Sequence, residues 1–76
     1  MAYTIHVAWD DEAKVWYVQG SEVPGLRIEA ATLERMAERL AEIIPELLEA
    51  NAVHLADDVP FELLAARHGI AHRRPA

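Results

Sequence analysis

The sequence has no cysteine, which excludes a disulfide framework and any thiolate metal site. Only three glycines occur, and none belongs to a loop that could cradle a phosphate. Ser21 is the single serine. No histidine or aspartate is placed beside it by spacing, so nucleophilic catalysis has no support. No apolar run approaches the roughly 20 residues that a membrane-crossing helix needs. The opening residues Met1-Ala2-Tyr3-Thr4-Ile5 lack the basic and apolar blocks of a secretory signal. A soluble, cytoplasmic protein is expected. Internal repeats and low-complexity segments are absent as well.

What is present is a short chain with a high apolar content, 53% of 76 residues. That length allows one domain, expected over residues 1–76, with a core from about 3 to 67 and a flexible basic tail at 68–76. So small a domain buries only about 60% of its unfolded surface, so its stability must come from good helix–sheet packing or from self-association. The net charge is −6 and unevenly spread. Up to Ala66, thirteen acids face Lys14, Arg27, Arg35 and Arg39, a net of −9; from Arg67 onward there are three arginines and no acid. An acidic body argues against binding the nucleic-acid backbone, which needs clustered cations. It favours a basic partner, or serves only to keep a small protein soluble.

The stretch from Val23 to Leu48 organises the rest. Pro24-Gly25 signals a turn, because proline sets φ at the second position and glycine accepts positive φ at the third. Leu26, Ile28 and Ala30 alternate with Arg27 and Glu29, a half-buried strand. Thr32 is placed to cap a helix from about Leu33 to about Ala50. On that helix Leu33, Met36, Ala37, Leu40, Ile43, Ile44, Leu47 and Leu48 share one face, and Glu34, Glu38, Glu42, Glu46 and Glu49 the other. The glutamates repel at four-residue spacing, relieved by Arg35 with Glu38 and Arg39 with Glu42. Pro45 removes the hydrogen bond to the Ala41 carbonyl, which favours a kink over a stop because the apolar pattern continues. Asn51 suits the C-terminal cap, as asparagine tolerates the left-handed conformation.

Before this stretch, Tyr3 to Trp9 alternates as a strand with Tyr3, Ile5, Val7 and Trp9 on one face. Asp10 to Ala13 reads as a four-residue hairpin loop. Lys14 to Gln19 is a second strand with apolar groups on both faces, so it should lie inside the sheet or be covered by another chain. After the helix, Val59 to Ala66 fits a strand parallel to the first or a short helix with Pro60 in its first turn; periodicity does not decide. The expected class is α+β: a three-stranded antiparallel meander, one long amphipathic helix on one face, and a fourth strand.

Chemistry is sparse. His6, His54, His68 and His72 are the only imidazoles. His68 and His72 have helical metal-ligand spacing, but Gly69 lies between them and the glutamate of a zinc-protease motif is missing. Asp10-Asp11-Glu12 could suggest a hard cation, yet consecutive acids point in different directions, and a solvated turn explains them better. No metal and no cofactor is expected. Trp9 and Trp16 flank the hairpin; core packing explains both, but either one turned outward would make an association patch.

The ordered elements carry a resemblance. Tyr3-Thr4-Ile5-His6-Val7 leading to Trp9-Asp10, Val15-Trp16, Val23-Pro24-Gly25-Leu26, Ala31-Thr32-Leu33-Glu34, Pro45-Glu46-Leu47-Leu48 and Val59-Pro60-Phe61-Glu62-Leu63 together resemble the HicB-like antitoxin group. Within it, the chain is most similar to short stand-alone relatives known as a domain of unknown function. The resemblance covers residues 3 to 67. It implies a partial ribonuclease-H-like α/β fold, tips Val59–Ala65 toward strand, and brings with it binding of a small basic toxin that cleaves mRNA. Members with a C-terminal DNA-binding domain also repress; only ten residues follow Ala66, so repression is not carried over. Ribonuclease-H chemistry needs a metal-binding acid in the first strand, and Tyr3–Trp9 has none, so the scaffold reads as non-catalytic. The expected function is a protein-binding antitoxin-type domain, with Trp9, Asp10, Asp11, Trp16, Glu34, Glu38 and Glu42 as partner-facing residues and Pro24, Gly25, Thr32 and Pro45 as structural ones. It is also expected to form a homodimer or higher homo-oligomer. The alternative is a self-associating structural or regulatory domain without a toxin partner.

Overall fold

The computed structural model describes residues 2–53 and 58–75. Their elements run β1 (Tyr3–Asp10), β2 (Val15–Ser21), β3 (Glu29–Ala30), α1 (Leu33–Ala50) and β4 (Phe61–Ala66). One sheet has the order β3-β2-β1-β4. β1–β2 and β2–β3 are antiparallel, and β4 lies parallel to β1. The class is therefore α+β, a four-stranded mixed sheet with one long helix. Of the stretch Val59–Ala66, Phe61–Ala66 is strand and none of it is helix: Tyr3 pairs with Phe61 and Ala8 with Ala66, while Val59 and Pro60 precede the strand. The intervening helix gives the chain the length a parallel return needs. Among the described residues no helix is long and apolar enough to cross a membrane.

The core follows the apolar periodicities. Met36, Leu40, Ile44 and Leu48 are buried along one stripe of α1 and meet Ile5, Val7 and Trp16 of the sheet, with Val23, Leu26 and Ala30 closing one end. β2 lies between β3 and β1 as its two-sided apolarity requires; Trp16 is buried on the helix side and Tyr17 is 36% exposed on the other. The register shifts between His6 and Val7, so that Gly20 and Val18 are their partners and Gln19 is the extra residue of a bulge.

Several local expectations need correcting. The third strand is not the whole of Leu26–Ala30: only Glu29 and Ala30 pair with β2, with Ile28 contributing its carbonyl to the Val18 N–H at 3.3 Å. The preceding turn holds the rest away, since Leu26 N–H donates back to the Val23 carbonyl and Gly25 takes φ 76°. The hairpin loop is Asp11–Lys14, one residue later than expected, because Asp10 still pairs with Val15 and Lys14 takes the left-handed position at φ 58°.

At the helix N-terminus, Thr32 Oγ1 accepts from Arg35 N–H at 3.0 Å, the expected cap. α1 runs through Pro45 without ending, and Ile44 and Leu48 on either side of it stay buried. At the other end Asn51 caps with φ −96°, not left-handed; its side-chain amide donates to the Leu47 carbonyl at 2.8 Å. The left-handed residue is Ala52, φ 58°. Ala52 N–H donates to Glu49 O and Val53 N–H to Leu48 O, the paired bonds of a helix stop that glycine ordinarily completes. An alanine there costs about 1–2 kcal/mol of backbone energy, partly offset by its stiffer unfolded chain. Ala52→Gly is therefore expected to stabilise the fold by about 0.5–1 kcal/mol. That gain should read as a higher midpoint in thermal melts followed by circular dichroism.

Candidate functional site: two acidic surfaces

The hairpin acids are fixed by local chemistry. Asp10 ends β1, and its Oδ1 accepts from the backbone N–H of Glu12 at 3.0 Å and of Ala13 at 3.1 Å, which holds the loop closed. Asp11 Oδ1 accepts from Lys14 Nζ at 3.0 Å and from Trp9 Nε1 at 3.2 Å. The Lys14 hydrogen bond first, then the Trp9 indole and the Lys14 charge, hold the Asp11 carboxyl below the usual aspartate value of 3.8. The carboxylate is thus favoured in the folded hairpin. Its contribution is in place above the ordinary aspartate range and is lost as pH falls through the lowered folded value. A carboxyl-detected NMR titration is expected to place the Asp11 midpoint below 3.8. In Lys14→Ala the midpoint should return toward that value, since the largest cause is gone.

The tryptophans are tied into the same hairpin. Trp9 and Trp16 are cross-strand partners, with ring centroids 5.3 Å apart at 60°, an edge-to-face contact. Trp16 is buried in the core, and Trp9 is half-buried against it. The Arg67 guanidinium stands 4.3 Å from the Trp9 ring centroid, a cation–π contact. Neither indole is turned outward as a separate patch. The structure brings Trp9, Asp10, Asp11 and Trp16 together, but Trp16 is committed to the core. An open hollow of about 520 Å³ instead joins Trp9 and the loop acids to Tyr17 and Glu29. Glu29 and Tyr17 are cross-strand partners, a pairing that sequence reasoning had no means of finding without the register. Arg67 was missed too: its contact depends on the parallel placement of β4, which periodicity left open.

The second surface is the outer face of α1. Glu34, Glu38 and Glu42 are all exposed. Glu34 sits in the first turn, where a negative charge favours the helix dipole. Arg35 reaches Glu38 at 3.0 Å. Arg39 does not pair with Glu42 as its spacing suggested; it donates to the Glu29 backbone carbonyl at 2.6 Å, where a carbonyl lacking a strand partner attracts the guanidinium. Glu42 is consequently left without an ion pair among the described residues. No hydrogen bond or ion pair among those residues joins this face to the hairpin acids. His6 and His68 are exposed, His54 lies outside the described residues, and no group of three potential ligands among the described residues is placed to hold a metal ion.

Comparison with known proteins gives three results. The family model described as a domain of unknown function, DUF1902, matches residues 2–72. Among solved structures, the hypothetical protein TTHA1013 from the extremely thermophilic bacterium Thermus thermophilus is 46% identical, with a TM-score of 0.71. The match covers 90% of this chain and 99% of that one. No curated protein matches.

Proposed function

Because the chain belongs to the DUF1902 family, a domain of unknown function, we propose that it is a non-catalytic protein-binding module of the HicB-like antitoxin type, engaging a small basic protein through the outer face of α1. The observation that carries this reading is the uncompensated acid on that face. Arg39 is spent on a backbone carbonyl, so Glu34, Glu42, Glu46 and Glu49 stand exposed with only Arg35 and Glu38 paired beside them. Glutamates four apart repel by a few tenths of a kcal/mol per pair, and a basic partner relieves that repulsion on docking. An enzyme reading has less behind it: the one acid of β1, Asp10 at its end, accepts from the Glu12 and Ala13 backbone N–H groups, and no acid lies from Tyr3 to Trp9 where ribonuclease-H-type chemistry would hold a metal.

The test is co-expression with the product of the adjacent reading frame. A short basic protein that co-purifies at low salt, releases as the Debye length shrinks toward about 3 Å near 1 M salt, and loses its toxicity in the presence of this chain supports the proposal. An adjacent product that neither binds nor is neutralised counts against the antitoxin role. Turnover of RNA by the chain alone with Mg²⁺ or Mn²⁺ would remove the non-catalytic reading.

A further inference from the structure

Among the described residues the sheet ends at β4, with no strand paired to its outer edge. Tyr3 N–H donates to the Pro60 carbonyl, so residues 60, 62, 64 and 66 direct their backbone groups to β1. Phe61, Leu63 and Ala65 therefore direct theirs outward, because consecutive strand residues alternate. Pro60, the one residue here without an N–H, faces inward and does not interrupt that outer row. β4 also lacks the lysine, bulge or outward proline by which proteins usually block an edge. Beyond Ala66 the chain continues as an exposed arm to Pro75, with Ile70 83% exposed. The molecule is correspondingly long, 61 × 24 × 18 Å, with a radius of gyration of 15.4 Å against about 11 Å for a compact chain of this size.

From these features we infer that β4 and the arm pair antiparallel with the same segment of a second copy, about a two-fold axis through Ala65. A two-fold axis normal to the sheet keeps each face on its own side, so residues whose numbers sum to 130 lie opposite one another. In that register Glu62 meets His68 of the other copy, Asp58 meets His72, and Ile70 meets Pro60. Each acid thus faces an imidazole that can donate to it. On the helix side, large meets small: Phe61 opposes Gly69, Val59 opposes Ala71, and Ala65 opposes itself. Val59, Phe61 and Leu63 are only half-buried in the single chain, and the second copy's arm covers them. A second copy is the occupant that this chemistry favours, because the segment is complementary to itself in this register. Moving the axis to Leu64 would set Glu62 against Ala66 and Asp58 against Ile70, leaving both acids without a donor.

The chain lacks cysteine, so single-cysteine variants report the contact directly. Opposed residues at the axis have Cα atoms about 5.5 Å apart, within disulfide range. Sedimentation equilibrium of the full chain at micromolar concentration is expected to give a dimer. Ala65→Cys should cross-link on oxidation while Leu64→Cys does not. Ala65→Pro should yield a monomer with an unchanged circular dichroism spectrum, because that N–H serves no bond within the sheet. A monomeric native chain, cross-linking at 64 in place of 65, or a dimer that survives Ala65→Pro overturns the inference. The cysteine pair decides the matter even if the proline variant fails to fold. None of these outcomes depends on whether a basic partner binds α1.

Discussion

Leu40→Ala is expected to remove about 2–5 kcal/mol, a large share of the stability of so small a domain. Leu40 has no exposed surface and lies in the middle of the buried stripe of α1, with Met36 on one side and Ile44 on the other. Removing a side chain so enclosed costs the transfer energy of its lost methyl groups plus the cavity they leave, about 2–5 kcal/mol. A chain of this length holds only about 4–11 kcal/mol in total, and it has no disulfide to limit the unfolded state. Each kcal/mol shifts the melting midpoint of a domain this small by about 4–8 °C, so a fall of about 10 °C or more is expected. Urea titration and thermal melts at one fixed protein concentration measure it. The exposed Glu49→Ala on the same helix is the control and should change stability by less than about 0.5 kcal/mol. If Leu40→Ala melts within a few degrees of the native chain, the helix–sheet core described above is wrong.

The same residues explain why the fold was legible. The stripe Met36–Leu40–Ile44–Leu48 and the alternation Ile5–Val7 are buried because two periods, 3.6 and 2, each turn one set of side chains to one side. Thr32 and Gly25 act locally, through a hydroxyl and a positive φ, so their roles could be read without any tertiary contact. The errors came where a long-range contact decides. Leu26–Ala30 has strand chemistry throughout, but the bulge at Gln19 and the Pro24-Gly25 turn leave only Glu29 and Ala30 within pairing reach. Ala52 takes the left-handed position that Asn51 suits better, because the two bonds to Leu48 and Glu49 set which residue must turn.

The candidate surfaces were less legible than the fold, for a related reason. Charged side chains have several reachable partners, and spacing along a helix ranks only the local ones. Spacing pairs Arg39 with Glu42, yet a backbone carbonyl ten residues earlier in the chain holds it. Trp9 and Trp16 looked equivalent beside the hairpin. The sheet buries one and leaves the other half-covered under Arg67, a residue that entered through the β1–β4 register alone.

Reversing Glu38 and Glu42 to lysine should weaken a basic partner by about thirtyfold while leaving the fold intact. The double change moves the net charge from −6 to about −2 by adding four positive units on one exposed face. At the high dielectric of a surface, an ion pair of this kind is worth a few tenths of a kcal/mol to about 1 kcal/mol. Four units then sum to roughly 2 kcal/mol, about thirtyfold in affinity. Much of that loss should be in the association rate, since exposed charges steer encounter. Stability behaves differently. The Arg35–Glu38 pair is lost and positions 38 and 42 still repel, but the new lysines stand four residues from Glu34 and from Glu46, so two of the three repulsive spacings become attractive. The melting midpoint is expected to stay within a few degrees of the native value. Binding kinetics at two salt concentrations, beside a melt of the same sample, separate the two effects. Glu38→Gln with Glu42→Gln should show about half the loss, because it removes charge without reversing it. Unchanged affinity and unchanged salt dependence in the double lysine variant would take the partner off α1, and the hairpin hollow of Tyr17, Glu29 and the loop acids would become the surface to test.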